Sequence, residues 1–478
     1  GVRFTVIGHA CLRIETSGPT ILVDPWLTGS CYWRSWWHFP ADADPTPELL
    51  APDVVYLTHH HFDHFHYPSM RQVDKGAEVL CARFGVDVMA DEVRDIGFRT
   101  VSELPHGEIR ELAPGVRVAS YQYGFDDTAF VVADGDTVLA DLNDCKIRGR
   151  ALRQIAEAFG PVTFLLKTHS WAQSYPHLYE AEDVEDLTLL KRQTYLDEFI
   201  DATRTLQPRF AVPFANMVAF LHPESWAMNA EMITPDEVRA AFERADGLEH
   251  TALVAMSPGD RWSDERGFDV SGTRWWDDRL PRMTQMAAAV APTLAATAAE
   301  EAQRPLAFAD FEHHLAGFLQ AVPRPALRML LKRPIVFEVP RDEQPYWVVD
   351  GRRRRVWRQA TPPADRANLI RVSPAVLADA IEKRILHFVH GSMRIRVALR
   401  PGGVNEDLAF WGLLMIWEIG YLPVRNLASR RFLDAVWRRR REAVGSLGML
   451  RGSGSPLKRL SEGFAVPTDD GTGATRAA

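Results

Sequence analysis

The densest run of chemistry-bearing side chains is Thr58-His59-His60-His61-Phe62-Asp63-His64. It follows the apolar run 54–57, which predicts a buried strand. A polar loop at the C-terminal edge of a strand is where α/β proteins usually place chemistry. His59 and His61 are two residues apart, so in extended backbone their side chains point the same way. Asp63 and His64 add a carboxylate and an imidazole as the chain turns away. These donors suffice for two adjacent metal ions, His59 and His61 on one, Asp63 and His64 on the other. The plain alternative is a solvated histidine-rich turn; four candidate ligands at the end of an apolar strand argue against it.

The surrounding pattern must supply the frame. Strands are expected at 3–7, 11–15, 20–23, 78–81, 116–122, 128–133, 137–142, 162–166, 209–212 and 253–256, with Gly8-His9 joining the first two and Asp134-Gly135 making a hairpin turn. Helices are expected near 86–96, 151–158, 186–206 and 234–244, the last opening on a Thr234/Glu237 capping pair. Strands first and strand–helix alternation afterwards, twice over, suit a sheet sandwich with outer helices. Segment 257–282 reads as loop and the alanine-rich 286–301 as helix or linker. A second region carries helices at 308–322 and 373–389, strands at 335–339, 346–349 and 355–358, and the apolar run 410–417. The expected division is a catalytic domain over 1–262, a linker or connecting helix over 263–303, a smaller α+β region over 304–444 and a flexible Gly/Ser-rich tail over 445–478.

The 478 residues are 46% hydrophobic and 25% charged, ordinary for a globular chain long enough for more than one domain. A net charge of -8 gives no global reason to expect nucleic acid or an anionic membrane as partner. No apolar run approaches the ~18 residues that span a bilayer, and no signal peptide is expected ahead of the first strand. Cys11, Cys31, Cys81 and Cys145 form no C-x-x-C pair, which suits reduced thiols in a cytoplasmic protein and leaves no locally encoded iron–sulfur site. The aromatic cluster Tyr32, Trp33, Trp36 and Trp37 reads either as core packing or as an apolar substrate-binding wall beside the histidine loop.

The pattern H-x-H-x-D-H is identified as that of the metallo-β-lactamase superfamily, which implies an αββα sandwich, here followed by the smaller α+β region. A carboxylate at a strand end then bridges the metals: Asp144, with Asp141 as competitor. A last histidine follows a late strand: His222, which also reads as a plain loop histidine at a helix entry. Hydrolytic members place one more imidazole between the loop and the bridge. Here that stretch is Tyr121-Gln122-Tyr123-Gly124-Phe125-Asp126-Asp127, without histidine; His106 lies ahead of the strand and His169 too late. Asp126 and Asp127 are the replacements, and a carboxylate in place of imidazole moves preference from zinc toward iron or manganese.

Asp24-Pro25-Trp26-Leu27, the tryptophan pair, the histidine motif, Asp127-Thr128, Asp144-Cys145, Pro213-Phe214-Ala215 and His222-Pro223 together resemble the metallo-β-lactamase portion of the CMP-N-acetylneuraminic acid hydroxylases, without their Rieske domain. They also resemble metallo-β-lactamase-fold diiron hydroxylases of natural-product pathways. The resemblance implies a nonheme diiron monooxygenase using O2 and an external electron donor to hydroxylate a sizeable metabolite, terpenoid or acyl-CoA-linked for example. The rival is a binuclear hydrolase, a lactonase, phosphodiesterase or thioesterase, with zinc or manganese.

Overall fold

The computed structural model describes residues 1–41 and 44–442; the expected tail, 445–478, lies outside them. Val54–Leu57 is a strand buried on both faces. Val54 and Tyr56 face one core while Val55 and Leu57 face another, which is why the run is continuously apolar instead of alternating.

Among the described residues, the first sheet has eight strands in the order Gly267–Asp269, Arg261–Ser263, Arg3–Gly8, Cys11–Glu15, Thr20–Val23, Val54–Leu57, Glu78–Ala82, Thr100–Leu104. The second has seven: Ala252–Leu253, Phe210–Pro213, Phe164–Lys167, Thr137–Asn143, Asp127–Asp134, Val116–Tyr123, Arg110–Ala113. Phe4, Leu12 and Val23 of the first sheet meet Val118, Phe130 and Leu166 of the second in a shared core. Helices cover the outer faces: Met70 and Val93 pack on the first sheet, Leu152, Ile155 and Leu206 on the second. This is the αββα sandwich of the metallo-β-lactamase fold.

Pairing decides where the chain ends its strands. Thr20–Val23, Val54–Leu57 and Glu78–Ala82 run parallel, as do Thr137–Asn143, Phe164–Lys167 and Phe210–Pro213. Cys11–Glu15 lies antiparallel with Leu12 opposite Val23, and Asp127–Asp134 lies antiparallel with Phe130 opposite Asp141. The turn at His9, the residue after Val23, the histidine loop, the 124–126 turn and the residue after Asn143 therefore share one edge.

A third sheet of six strands follows, in the order Tyr179–Ala181, Arg396–Leu399, Asn368–Arg371, Ile335–Glu338, Tyr346–Asp350, Arg355–Gln359. Helices Phe308–Ala321 and Val404–Glu418 pack over it. Its first strand comes from the N-terminal half, so the two regions share hydrogen bonds as well as side-chain contacts.

Several elements differ from the sequence pattern, each for a visible reason. Within 257–282, read as loop, the hairpin Arg261–Ser263/Gly267–Asp269 extends the first sheet across residue 262, because Trp262 packs on Phe164, Phe210 and Phe268. Segment 286–301 belongs to one helix, Arg279–Gln303. Segment 186–206 is interrupted: the Tyr175 hydroxyl takes the Leu189 N–H and Thr194 Oγ1 takes that of Lys191, so the helix starts at Arg192. Segment 373–389 breaks after Glu382, where Arg384 adopts a left-handed backbone and Glu418 accepts the N–H groups of Leu386 and His387. That break delivers His387 and Phe388 to the histidine loop. The Thr234/Glu237 capping box forms as expected. No helix among the described residues is long and apolar enough to cross a membrane. All four cysteines are buried and none is in a disulfide.

Candidate metal centre

The loop after Val54–Leu57 is anchored by Asp24, the residue after the neighbouring strand. Its fully buried carboxylate accepts the Thr58 N–H (2.8 Å) and hydroxyl (2.5 Å) and lies 2.6 Å from His64 Nδ1. Nε2 of His64 thereby faces inward, 3.1 Å from an oxygen of Asp63 and 3.1 Å from Oδ2 of Asp144. A carboxylate behind a ligating imidazole is the usual way a protein fixes its tautomer and orientation.

On the other side of the cluster, His59 Nε2 and His61 Nδ1 lie 3.1 Å apart, the spacing of two donors aimed at one point. His59 Nε2 is 4.0 Å from Asp144 Oδ2, so Asp144 stands between the two halves. Asp127 Oδ1 is 3.3 Å from His59 Nδ1, and Asp126 Oδ2 is 3.4 Å from His60 Nδ1 and 4.0 Å from His61 Nε2. Among the described residues, candidate ligand atoms within 4.8 Å of one another form two groups, His9/Asp63/His64 and His59/His64/Asp144.

The electrostatics call for positive charge here. Burial works against a charged His64, yet Asp63, Asp144 and Asp24 raise its pKa well above that of a free imidazole. Burial likewise opposes ionisation of Asp63 and Asp144, and His64 nevertheless holds both carboxyls below their usual range. Burial and the imidazoles of His64 and His61 push the His59 pKa well down, favouring the neutral form a ligand needs. Asp144 Oδ1 and Asp126 Oδ2 are buried without a hydrogen-bond partner among the described residues. Buried carboxylate oxygens with no donor, beside several imidazoles, fit a pair of metal ions.

The structure thus brings His59, His61, Asp63, His64, Asp126, Asp127 and Asp144 to one edge. It does not bring His222. That residue's Nδ1 accepts the Glu224 N–H (3.1 Å) and its carbonyl oxygen that of Ser225, so it closes the turn into the Trp226–Ala230 helix, beside Arg394. Asp141, the alternative bridge, lies within the sheet and accepts the Asn143 N–H instead. His106 accepts the Gln122 N–H, and His169 pairs with Asn216.

The three tryptophans separate because Trp36 and Trp37 point to opposite faces of the strand Trp36–His38. Trp36 packs edge-on against His9 and Phe220 and is the one beside the cluster. Trp37 donates to Arg34 O and packs against the inter-sheet core, away from the cluster. Trp33 donates to Asp379 and lines a cavity of about 530 Å³ between the aromatic loop and the C-terminal region, screened from Asp63 by Tyr32 and Phe62.

Four contributors were not legible as site residues. His9 Nε2 lies 2.8 Å from Asp63 Oδ2, and the Tyr32 hydroxyl donates to Asp63 Oδ1 (3.1 Å). His387 Nε2 is 3.4 Å from His60 Nε2, and the Phe388 ring packs on His60, His61 and Phe62. Only Tyr32 carried a sequence signal, as a member of the aromatic cluster.

Comparison with known proteins agrees with this frame. Residues 3–161 match the family described as beta-lactamase superfamily domain. The chain is 30% identical over 251 residues to a Mycobacterium tuberculosis protein provisionally described as a Rieske 2Fe-2S iron-sulfur protein, covering 50% of this chain and 48% of that one. It is 24% identical to the cytidine monophosphate-N-acetylneuraminic acid hydroxylase of Danio rerio, over 46% of this chain and 39% of that one. The chain therefore spans about half the length, or less, of these curated relatives. Among solved structures it is similar to CmlA, a diiron β-hydroxylase from Streptomyces venezuelae (18% identity, TM-score 0.37, 54% and 53% of the two chains). Solved metal-dependent hydrolases match at comparable scores, so this likeness does not choose between the two reactions.

Proposed function

We propose that this chain is a metal-dependent monooxygenase that hydroxylates a C–H bond of a sizeable small molecule. His59 and His61 would hold one iron and Asp63 and His64 the other, with Asp144 between them. The observation that supports the reading is a stretch, 121–127, that offers carboxylates and no imidazole: Asp126 Oδ2 lies 4.0 Å from His61 Nε2 and Asp127 Oδ1 3.3 Å from His59 Nδ1. Two irons, when bound, supply reductive activation of O2, with the overall balance R–H + O2 + 2 e⁻ + 2 H⁺ → R–OH + H2O. The reductant is a separate electron donor, a role in keeping with the relative described as a Rieske protein.

The chain's own residues prepare the site. Asp24 orients His64, and Tyr32 and His9 hold Asp63 from two sides. Phe62, Phe388 and Trp36 close the apolar side and exclude water. The side chain of His61 is 38% exposed, the widest opening among the loop ligands, and is where a substrate would approach.

The test is metal content and visible absorption of the purified protein, with O2 uptake measured with and without reductant. Iron with charge-transfer absorption and reductant-dependent O2 consumption is expected. Colourless zinc protein that turns over an ester, lactone or phosphodiester without O2 would make it a hydrolase.

A further inference from the structure

We infer that His9 is a protein ligand of the ion held by Asp63 and His64, taking the place that the sequence pattern assigned to His222. This rests on the metal-centre reading above.

His9 occupies the turn between Arg3–Gly8 and Cys11–Glu15, just after the register slip between Val6 and Gly8. Its backbone is left-handed (φ 47°), an uncommon state for a residue with a side chain. Such strain is retained where surrounding structure or function demands it. The turn aims the imidazole along the shared edge, and the ring is held between Trp26 and Trp36, with centroids 5.5 and 6.1 Å away.

The side chain is 3% exposed. Nε2 sits 2.8 Å from Asp63 Oδ2, and one ring nitrogen of His9 lies within 4.8 Å of the candidate ligand atoms of Asp63 and His64. Nδ1 is buried with no hydrogen-bond partner among the described residues. A structural core histidine usually satisfies both nitrogens; among the described residues, the hydrogen-bond partner of this ring, Asp63, belongs to the cluster. The other oxygen of Asp63 is occupied by the Tyr32 hydroxyl, so His9 Nε2 and His64 Nε2 converge on the same oxygen, Oδ2, at 2.8 and 3.1 Å. Two imidazoles and a carboxylate, with Asp144 adjoining, complete a set suited to iron, manganese or zinc.

The competing role is a hydrogen bond from His9 to Asp63 with no metal contact. His9→Gln keeps an amide donor and His9→Ala removes it. Wild type, both variants and His61→Ala are loaded with Mn(II) or Zn(II), dialysed, and analysed for bound ions and for affinity by chelator competition. The inference expects two ions in wild type and at least a tenfold weaker second ion in both His9 variants. Wild-type affinity in His9→Gln with loss only in His9→Ala would make His9 a hydrogen-bond donor and overturn the inference. Unchanged affinity in both would overturn it as well. Failure of wild type itself to retain metal would overturn the metal-centre reading instead.

A crystal structure of wild type grown with Zn(II) needs no variant. Nε2 of His9 should lie about 2.0–2.1 Å from an ion. An ion bound to Asp63 and His64 with His9 out of coordination distance would overturn the inference even if both variants fail to fold.

Discussion

Asp24 Oδ2 lies 2.6 Å from Nδ1 of His64, and both side chains are completely buried. One carboxylate thus ties the histidine loop to the neighbouring strand and, through the same imidazole, sets which nitrogen faces Asp63 and Asp144.

Asp24→Asn keeps the shape and removes the charge that holds His64 in this orientation. We expect affinity for the ion at His64 to fall about 10–100-fold, the usual cost of losing such a partner. Chelator competition reads it directly; unchanged affinity would mean that the tautomer is set elsewhere.

His61→Ala should retain the fold, since the side chain is over one-third exposed, and should lose at least one ion. Asp144→Ala should lower occupancy toward one ion by removing the anion between two cations, whereas Asp141→Ala should keep both. Elemental analysis decides each case. Full occupancy in His61→Ala, or the reverse result for the two aspartates, would contradict the assignment.

Asp126→His and Asp127→His test why this site should favour iron. Whichever carboxylate faces the ion beside His59 and His61 should, on becoming imidazole, raise retained zinc relative to iron and reduce O2-dependent turnover. Iron content unchanged in both histidine variants would leave that ion's third ligand unidentified among these residues and remove the basis for choosing an oxygenase.

Glu418 provides a pH test at the seam between the two regions. It is fully buried and accepts from Leu386 N (2.9 Å), His387 N (2.8 Å), His387 Nδ1 (3.0 Å) and His314 Nε2 (3.2 Å). Burial opposes its charge, but the hydrogen bonds and charges of His314 and His387 hold its pKa down to about 2. A folded pKa below the unfolded value means stability that is present above the unfolded pKa, about 4.3, and lost as pH falls toward 2. Between pH 6 and pH 3.5 wild type should lose about 1 kcal/mol more than Glu418→Gln, by urea midpoints. Parallel pH dependence in the two proteins would refute the charged state of Glu418.

The histidine motif, the buried strand before it and the αββα order were open to sequence reading because each is local. A period of two, a four-residue apolar run and a six-residue motif all lie within one stretch of chain. The carboxylate substitution at Asp126 and Asp127 was visible too, since it is a matter of residue type between two strands. Other features depend on which strand ends share an edge. His9 sits 54 residues before Asp63 in a turn with no spacing pattern, and Asp24 precedes His64 by 40. His387 meets His60 across 327 residues, only because Glu418 breaks the 373–389 segment and turns it inward. His222 had the right type and a plausible position, but its own turn uses its polar groups. Sequence specified the histidine loop; parallel pairing and the docking of the C-terminal region decided which side chains surround it.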